Sequence, residues 1–328
     1  MKLIFFICFV ISFITTLLII PYWIKRAKQV NLTAKDMNKY EKPEVVEMGG
    51  LSVIIGFLLG ILLLIAIEMF YFKSLERALQ TMALLSSLLI LTIIGLIDDI
   101  LGWKIGLKQY QKPLLTLLAA LPIIVINAGN SIISIPLVGR IDIGLFYPFL
   151  FIPIFIVFFS NAFNMLAGYN GLETSLGAII LATLGFIAWR SGYGWVAVIA
   201  IGMVASLIAF FFYNKFPAKI FPGDTLTYPI GALIAIIAII GNMERIALIL
   251  FIPYIVEFFI KAKYKFKTEC FAEPQPDNSL EIKKIGSLTH TIIKILKKIK
   301  SKVYENDVVL TLIIFELFLA AFSIIYYW

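Results

Sequence analysis

The chain has 328 residues, 61% of them hydrophobic and only 15% charged, with a mean hydropathy of +0.98. Soluble domains are about half apolar and a quarter charged, so this composition excludes a water-soluble globule and predicts an all-α, polytopic integral membrane protein. The formal charge of +8 is first a signal of topology and calls for no nucleic-acid partner.

In chain order, apolar runs close to or above the roughly 20 residues that cross a bilayer as helix lie at 3–24, 49–72, 79–97, 113–128, 146–163, 173–190, 194–213, 225–241, 245–260 and 307–327. They predict about ten transmembrane helices, several of them short or carrying a proline (Pro122, Pro148, Pro153, Pro229, Pro253). The first run is too long for a signal peptide and has no small-residue cleavage site before PYWIKRAK, so it reads as a retained helix. Cys8 lies in that helix and Cys270 in a distant loop, which indicates neither a disulfide framework nor a cysteine metal site. No internal repeat of the kind found in many transporters is present. The chain therefore reads as a single transmembrane domain, 1–328. Its one sizeable insertion, at 261–306, combines a lysine-rich segment with a basic amphipathic one.

Charge orients these spans. With ten of them, the loops after the odd-numbered spans share one side and hold every Lys and Arg except Lys2, Lys73, Arg77, Arg140, Arg190 and Arg245. The positive-inside rule makes that side cytoplasmic.

Four polar clusters interrupt the hydrocarbon: KPEVVEMGG at 42–50, GLIDDILGWKIGLKQYQK at 95–112, NAFNMLAGYNGLE at 161–173 and FPGDTLTY at 221–228. All four fall on the cytoplasmic side or on helix ends that open to it, which points to one site on that face. Asp98 and Asp99 end an apolar span, where a carboxylate in hydrocarbon costs about 2.5 to 3.5 kcal/mol. Contact with interfacial water is the bland account of them. Adjacent helical residues point about 100° apart, so one is expected to face the site and the other to hold a neighbour or the lipid-side substrate. Asn161 and Asn164 share a helix face, and Gly168 and Gly171 bracket a turn that lets backbone approach a ligand. Interhelical hydrogen bonding would explain one asparagine. Three asparagines beside two glycines and Glu173 suggest more. Asparagine carbonyls and Asp224 suit a hard cation such as Mg²⁺, although Asp224 and Thr225 also sit where an ordinary helix N-cap would.

In this order and spacing the motifs resemble the polyprenyl-phosphate N-acetylhexosamine-1-phosphate transferases, of glycosyltransferase family 4 type. The likeness is strongest to their eukaryotic-type UDP-GlcNAc:dolichyl-phosphate branch and covers roughly residues 40–260. It implies ten transmembrane helices and a cytoplasmic site dependent on Mg²⁺, with Mn²⁺ as an alternative. Asp98 and Asp99 would be the essential acidic pair and Asn164 and Asp224 the metal ligands. Asn161, Asn170, Gly171, Glu173 and Gly223 would shape the nucleotide pocket, with Glu47 at its border. Lys112 would approach the lipid phosphate, with Lys108 as its alternative because the segment between DD and Lys is longer than usual. One feature departs from the family: the His-x-Arg cluster of the last cytoplasmic loop is missing, and the chain's single histidine is His290. Lys261, Lys263, Lys265 and Lys267 would share a face if extended and would then replace the missing cations, lipid-headgroup attraction being their other explanation. THTIIKILKKIKSK has the pattern of a helix lying at the membrane surface.

The implied reaction passes sugar-1-phosphate from UDP-GlcNAc to a polyprenyl or dolichyl phosphate, giving a lipid pyrophosphoryl-sugar and UMP, as in the first step of N-glycan assembly. Other UDP-N-acetylhexosamines or UDP-MurNAc-pentapeptide are alternative donors. A cation-coupled transporter is an alternative of another class, but it would need polar residues at mid-membrane and access from both sides. The expected setting is the cell membrane, or the ER membrane in a eukaryote, with a homodimer as one open assembly state.

Overall fold

The computed structural model describes residues 2–102, 106–135 and 139–327. Thirteen α-helices are found among them. Long apolar runs form α1 (Lys2–Gln29), α2 (Gly50–Phe70), α3 (Leu75–Leu101), α6 (Ile152–Met165, preceded by a wide turn over Tyr147–Phe151), α7 (Leu172–Arg190), α8 (Gly194–Asn214) and α13 (Glu305–Tyr327). All seven segments are long and apolar enough to cross a membrane. Two shorter apolar stretches accompany them. One is the near-continuous α4 (Gln111–Thr116), 3₁₀ turn (Leu117–Ala120) and α5 (Leu121–Val125); the other is α9 (Asp224–Ile240).

The run expected at 245–260 is two helices, α10 (Glu244–Leu250) and α11 (Ile252–Lys263). The break falls at Phe251, just before Pro253, whose missing N–H and ring disfavour an uninterrupted helix. Each expected span thus coincides with a helix or a short series of helices, and the protein is a polytopic helical membrane protein.

α9 is the hub. It is apolar all round, as a helix surrounded by other helices must be, and every residue from Thr225 to Ile240 is buried. α3, α6, α2 and α7 pack about it, while α1, α2, α7 and α8 form an adjoining layer and α13 lies against α7. Its 17 residues span only about 26 Å at 1.5 Å per residue, less than the roughly 30 Å hydrocarbon core. The N-terminus of α9, where Asp224 sits, is therefore free to lie in a recess.

Gly231 lets α6 approach α9 closely, because a Cβ there would collide with the backbone of Phe159 and Ser160. The contact is sealed where Ser160 Oγ donates to Tyr228 O at 3.1 Å. Large exposed side chains such as Phe6, Leu18, Ile93, Phe318 and Ile325 line the outer helices, as lipid-facing surfaces require.

Three small antiparallel hairpins occur among the described residues: β1 (Thr33–Lys35) with β2 (Glu44–Val46), β3 (Ile132–Ile135) with β4 (Gly139–Asp142), and β5 (Glu273–Pro274) with β6 (Leu280–Glu281). The first bonds to the FPGD loop. Val46 bridges Ile220, Phe221 N–H donates to Val46 O at 2.7 Å, and Gly49 and Gly50 N–H donate to Phe221 O and Pro222 O, both at 2.9 Å.

Between α11 and α13, α12 (Leu288–Leu296) has the expected amphipathic pattern, but its buried face packs onto protein. Glu257 of α11 accepts from Ser287 Oγ at 2.9 Å and from Leu288 N–H at 2.6 Å, and Thr289, His290, Ile292 and Ile293 are buried.

Candidate active site

The four polar motifs meet at one end of the bundle, around the N-terminus of α9. The adjacent aspartates diverge as the 100° helical step requires. Asp99 turns to α9, where its Oδ1 accepts Asp224 N–H at 2.8 Å and its Oδ2 accepts Thr225 N–H at 3.0 Å together with the Thr225 hydroxyl. α9 thus gets its cap from another helix. Asp224 and Thr225 do not cap it: Asp224 is its first residue, and the preceding Gly223 has no capping side chain. Gly223 is needed as glycine, since φ is +70° and a Cβ would run into the Asp99 carboxylate.

Asp98 faces the other way. Its Oδ1 accepts Leu107 N–H at 2.6 Å, and its Oδ2 pairs with Lys112 Nζ at 2.6 Å. The same ammonium donates to Asp224 Oδ2 at 3.1 Å. Lys112 therefore bridges Asp98 of α3 to Asp224 of α9. Lys108 is exposed, and its backbone starts α4: Gln111 and Lys112 N–H both donate to its carbonyl.

Asn164 lies one turn beyond Ser160 on α6, and Asp224 one turn before Tyr228 on α9. The helices run in opposite directions, so the Ser160–Tyr228 contact sets Asn164 opposite Asp224. Asn164 Nδ2 is buried without a hydrogen-bond partner, so its amide nitrogen is not spent on an interhelical tie. Mg²⁺ favours one or two carboxylates with amide oxygens, water and substrate phosphates over an all-protein cage. No cage of three or more His, Cys, Asp or Glu occurs among the described residues. Asp224 with Asn164, and Asp98 nearby, is a donor set of the open kind and fits such an ion.

Glu47, on the loop held against FPGD, completes the acidic surroundings. Burial pushes its carboxyl up to about 7, with the negative charges of Asp224 and Asp98 adding to the effect.

Other predicted site residues are ties. Asn161 Nδ2 donates to Thr116 Oγ1 and to Val157 O, both at 2.9 Å, which joins α6 to the helix one turn past Lys112. Asn170 is saturated: its Nδ2 donates to Asp36 Oδ2 at 3.0 Å and Glu305 Oε1 at 2.8 Å, and its Oδ1 accepts Ala218 N–H at 3.2 Å. Glu173 accepts Gly168 N–H, and Gly168 and Gly171 both have positive φ, as the turn between them requires. Glu305, Asp36, Asn38 and Lys39 were not singled out from sequence. Glu305 pairs with Lys39, and Asn38 Nδ2 donates to Gly168 O at 2.9 Å. Glu305 reads locally as an acidic residue in the first turn of a helix, a common feature, so only its partners reveal it.

The lysine segment is not extended. Lys263 ends α11, and the chain then turns back, with Lys265 and Phe266 left-handed and Phe266 N–H bonded to Lys261 O. Lys263, Lys265 and Lys267 are exposed on this turn and form no strand face, while Lys261 is buried, bonded to Met165 O and paired with Glu257 at 3.2 Å. The helical run EFFIKAK carries α11 into the segment read as extended. Phe266 O accepts from Gln109 Nε2, so the turn sits beside the loop leading to Lys112.

His290 is buried, with Gly286 N–H donating to its Nδ1 at 3.1 Å and its Nε2 donating to Phe271 O at 2.8 Å. Both nitrogens are committed to the insertion's own fold. Cys8 and Cys270 are free and buried. A cavity of about 790 Å³ lined by Arg77, Asn130, Tyr147 and Trp195 lies at the opposite end, remote from all four motifs.

Residues 81–242 match glycosyl transferase family 4. A protein of Saccharolobus solfataricus, with the provisional name of a UDP-N-acetylglucosamine–dolichyl-phosphate N-acetylglucosaminephosphotransferase, is 42% identical over 88% of this chain and 86% of its own. The protein of that name from Dictyostelium discoideum is 25% identical over 91% and 82%. A phospho-N-acetylmuramoyl-pentapeptide-transferase of Clostridium botulinum is 35% identical over 54% and 57%. With the motifs gathered at one site and likeness of this extent, the chain belongs to glycosyl transferase family 4.

Proposed function

We propose that the protein transfers N-acetylglucosamine-1-phosphate from UDP-GlcNAc to a membrane polyprenyl or dolichyl phosphate, releasing UMP, at a divalent-cation site on the cytoplasmic face. The observation that carries this reading is the Asp98–Lys112–Asp224 bridge, which gathers two acids and a cation from separate helices. The relatives named for this reaction match most of the chain, and the Lys and Arg asymmetry supports the cytoplasmic orientation.

A lipid phosphate oxygen attacks the β-phosphorus of the donor, and the bond from that phosphorus to the bridging oxygen breaks. UMP leaves with the bridging oxygen. The second pKa of a phosphate monoester is near 6, so the nucleophile is largely dianionic and needs little general-base help. Lys112 draws the acceptor phosphate in, and Asp98 aims Lys112 and takes up a residual proton. Asp99 holds Asp224 by capping α9. When bound, Mg²⁺ supplies charge neutralisation to the pyrophosphate and the transferring phosphoryl group.

UMP release by the purified protein, measured with and without polyprenyl phosphate and Mg²⁺ across a panel of UDP-sugars, tests this. Dependence on both, with UDP-GlcNAc preferred, is expected. UDP-MurNAc-pentapeptide as the preferred donor would transfer the assignment to the other branch, which the Clostridium relative represents.

A further inference from the structure

The position of Lys112 implies more than an attraction for phosphate. Its ammonium has three donors. One pairs with Asp98 Oδ2 at 2.6 Å and another reaches Asp224 Oδ2 at 3.1 Å. Asp224 is also the acid through which a divalent cation would be held, so lysine and metal ask for the same carboxylate. Four acids, Glu47, Asp98, Asp99 and Asp224, converge here, and Lys112 is the cation that pairs with two of them. The backbone of α4 is pinned one turn away by Asn161 on Thr116, so any adjustment falls to the flexible four-carbon stem of Lys112.

We propose that Lys112 is a built-in stand-in for the divalent cation: it bridges Asp98 and Asp224 until the metal arrives, and only then is its ammonium released from Asp224 to take the acceptor phosphate. The proposal rests on the transferase reading and adds an order of events to it. Before loading, Lys112 offsets part of the negative charge of the recess, with two of its three donors committed to carboxylates. After loading, it keeps Asp98 and regains free donors at the place where the acceptor must arrive. The metal and the acceptor phosphate then favour each other's binding, because linkage is reciprocal. The acceptor is thereby discouraged from settling in a site that lacks its metal.

The test uses the full chain in neutral detergent with Mn²⁺ as the probe. Bound Mn²⁺ is read from the loss of the free-ion electron paramagnetic resonance signal. Amine accessibility is read by reductive methylation and peptide mass spectrometry, with exposed Lys108 as internal reference. Lys112 is expected to label slowly without metal and roughly tenfold faster with it, the ratio for an amine released from about 90% occupancy. Lys108 should not change. Lys112→Met should bind Mn²⁺ roughly tenfold more tightly than wild type, because a competitor is gone. Lys112→Arg, whose fork retains both ion pairs, should bind no more tightly than wild type. Mn²⁺ retained with unchanged Lys112 labelling overturns the exchange and leaves the transferase reading intact. No Mn²⁺ retained overturns both the exchange and the metal site. Exchange without UMP release from any UDP-sugar upholds the exchange and removes the transferase reading. The labelling comparison is made on wild-type protein, so it stands even if a variant misfolds.

Discussion

The carboxylate of Asp99 caps the helix that begins at Asp224: Asp99 Oδ1 accepts Asp224 N–H at 2.8 Å, across 125 residues of sequence. One member of the DD pair thus fixes the position of the proposed metal-binding acid, and the other faces the recess. Loss of an N-cap costs about 0.5 to 2 kcal/mol. Asp99→Ala should lower stability in detergent by that amount and reduce transfer, and Asp99→Asn, which keeps one acceptor oxygen, should do less of both. Asp98→Asn keeps an acceptor for Leu107 N–H and should reduce transfer far more than stability. Thermal unfolding beside UMP release checks the ranking, and equal stability losses for Asp98 and Asp99 variants would contradict it.

Asp224→Asn and Asn164→Ala should abolish UMP release at limiting Mg²⁺ while leaving a folded, extractable protein. Asn164 Nδ2 has no hydrogen-bond partner to lose. Near-normal rates from both variants at saturating substrates would reject them as ligands.

Glu305 Oε1 accepts both Asn170 N–H, at 2.6 Å, and Asn170 Nδ2, at 2.8 Å. Glu305→Ala leaves two buried donors unmet, at about 1 to 3 kcal/mol each, and frees the loop between α6 and α7. The KM for the UDP-sugar should rise more than kcat falls. Unchanged KM in steady-state kinetics would show that this loop does not shape the nucleotide site.

Glu47 supplies a pH dependence. Its folded-state carboxyl titrates near 7 against an ordinary value of 4.5, so the folded protein holds a proton that the unfolded chain has already released. The stability this group contributes is fullest below 4.5, declines as pH rises from 4.5 to 7, and is level above that. Glu47→Gln removes the decline, so its advantage over wild type should grow across that window. Unfolding curves measured in chelator at pH 4.5, 6 and 8 check the sign.

Lys263, Lys265 and Lys267 are exposed on a turn beside the loop before Lys112. Exposed cations act over a distance and are screened by salt. Changing all three to Gln should lower kcat/KM for the UDP-sugar less than about tenfold at low ionic strength, with the deficit vanishing near 1 M salt, where the Debye length is about 3 Å. A salt-independent loss of binding would instead make them direct ligands.

Membrane residence, the approximate spans and the gathering of polar motifs at one face were legible in the linear chain. The cost of exposing polar groups to hydrocarbon acts residue by residue, so composition carries it. The turn at Gly168 and Gly171 was equally local. Which aspartate faces the recess, why Lys112 rather than Lys108 bridges the acids, and why Asn161 and Asn170 serve as ties depended on how α3, α4, α6 and α9 are rotated against one another. The lysine turn after α11 depended on where that helix stops, and the role of Glu305 on a partner far away in sequence. A hydrogen bond exists only when donor and acceptor arrive within about 3 Å at the right angle. For residues a hundred positions apart, the packing of the helices decides that.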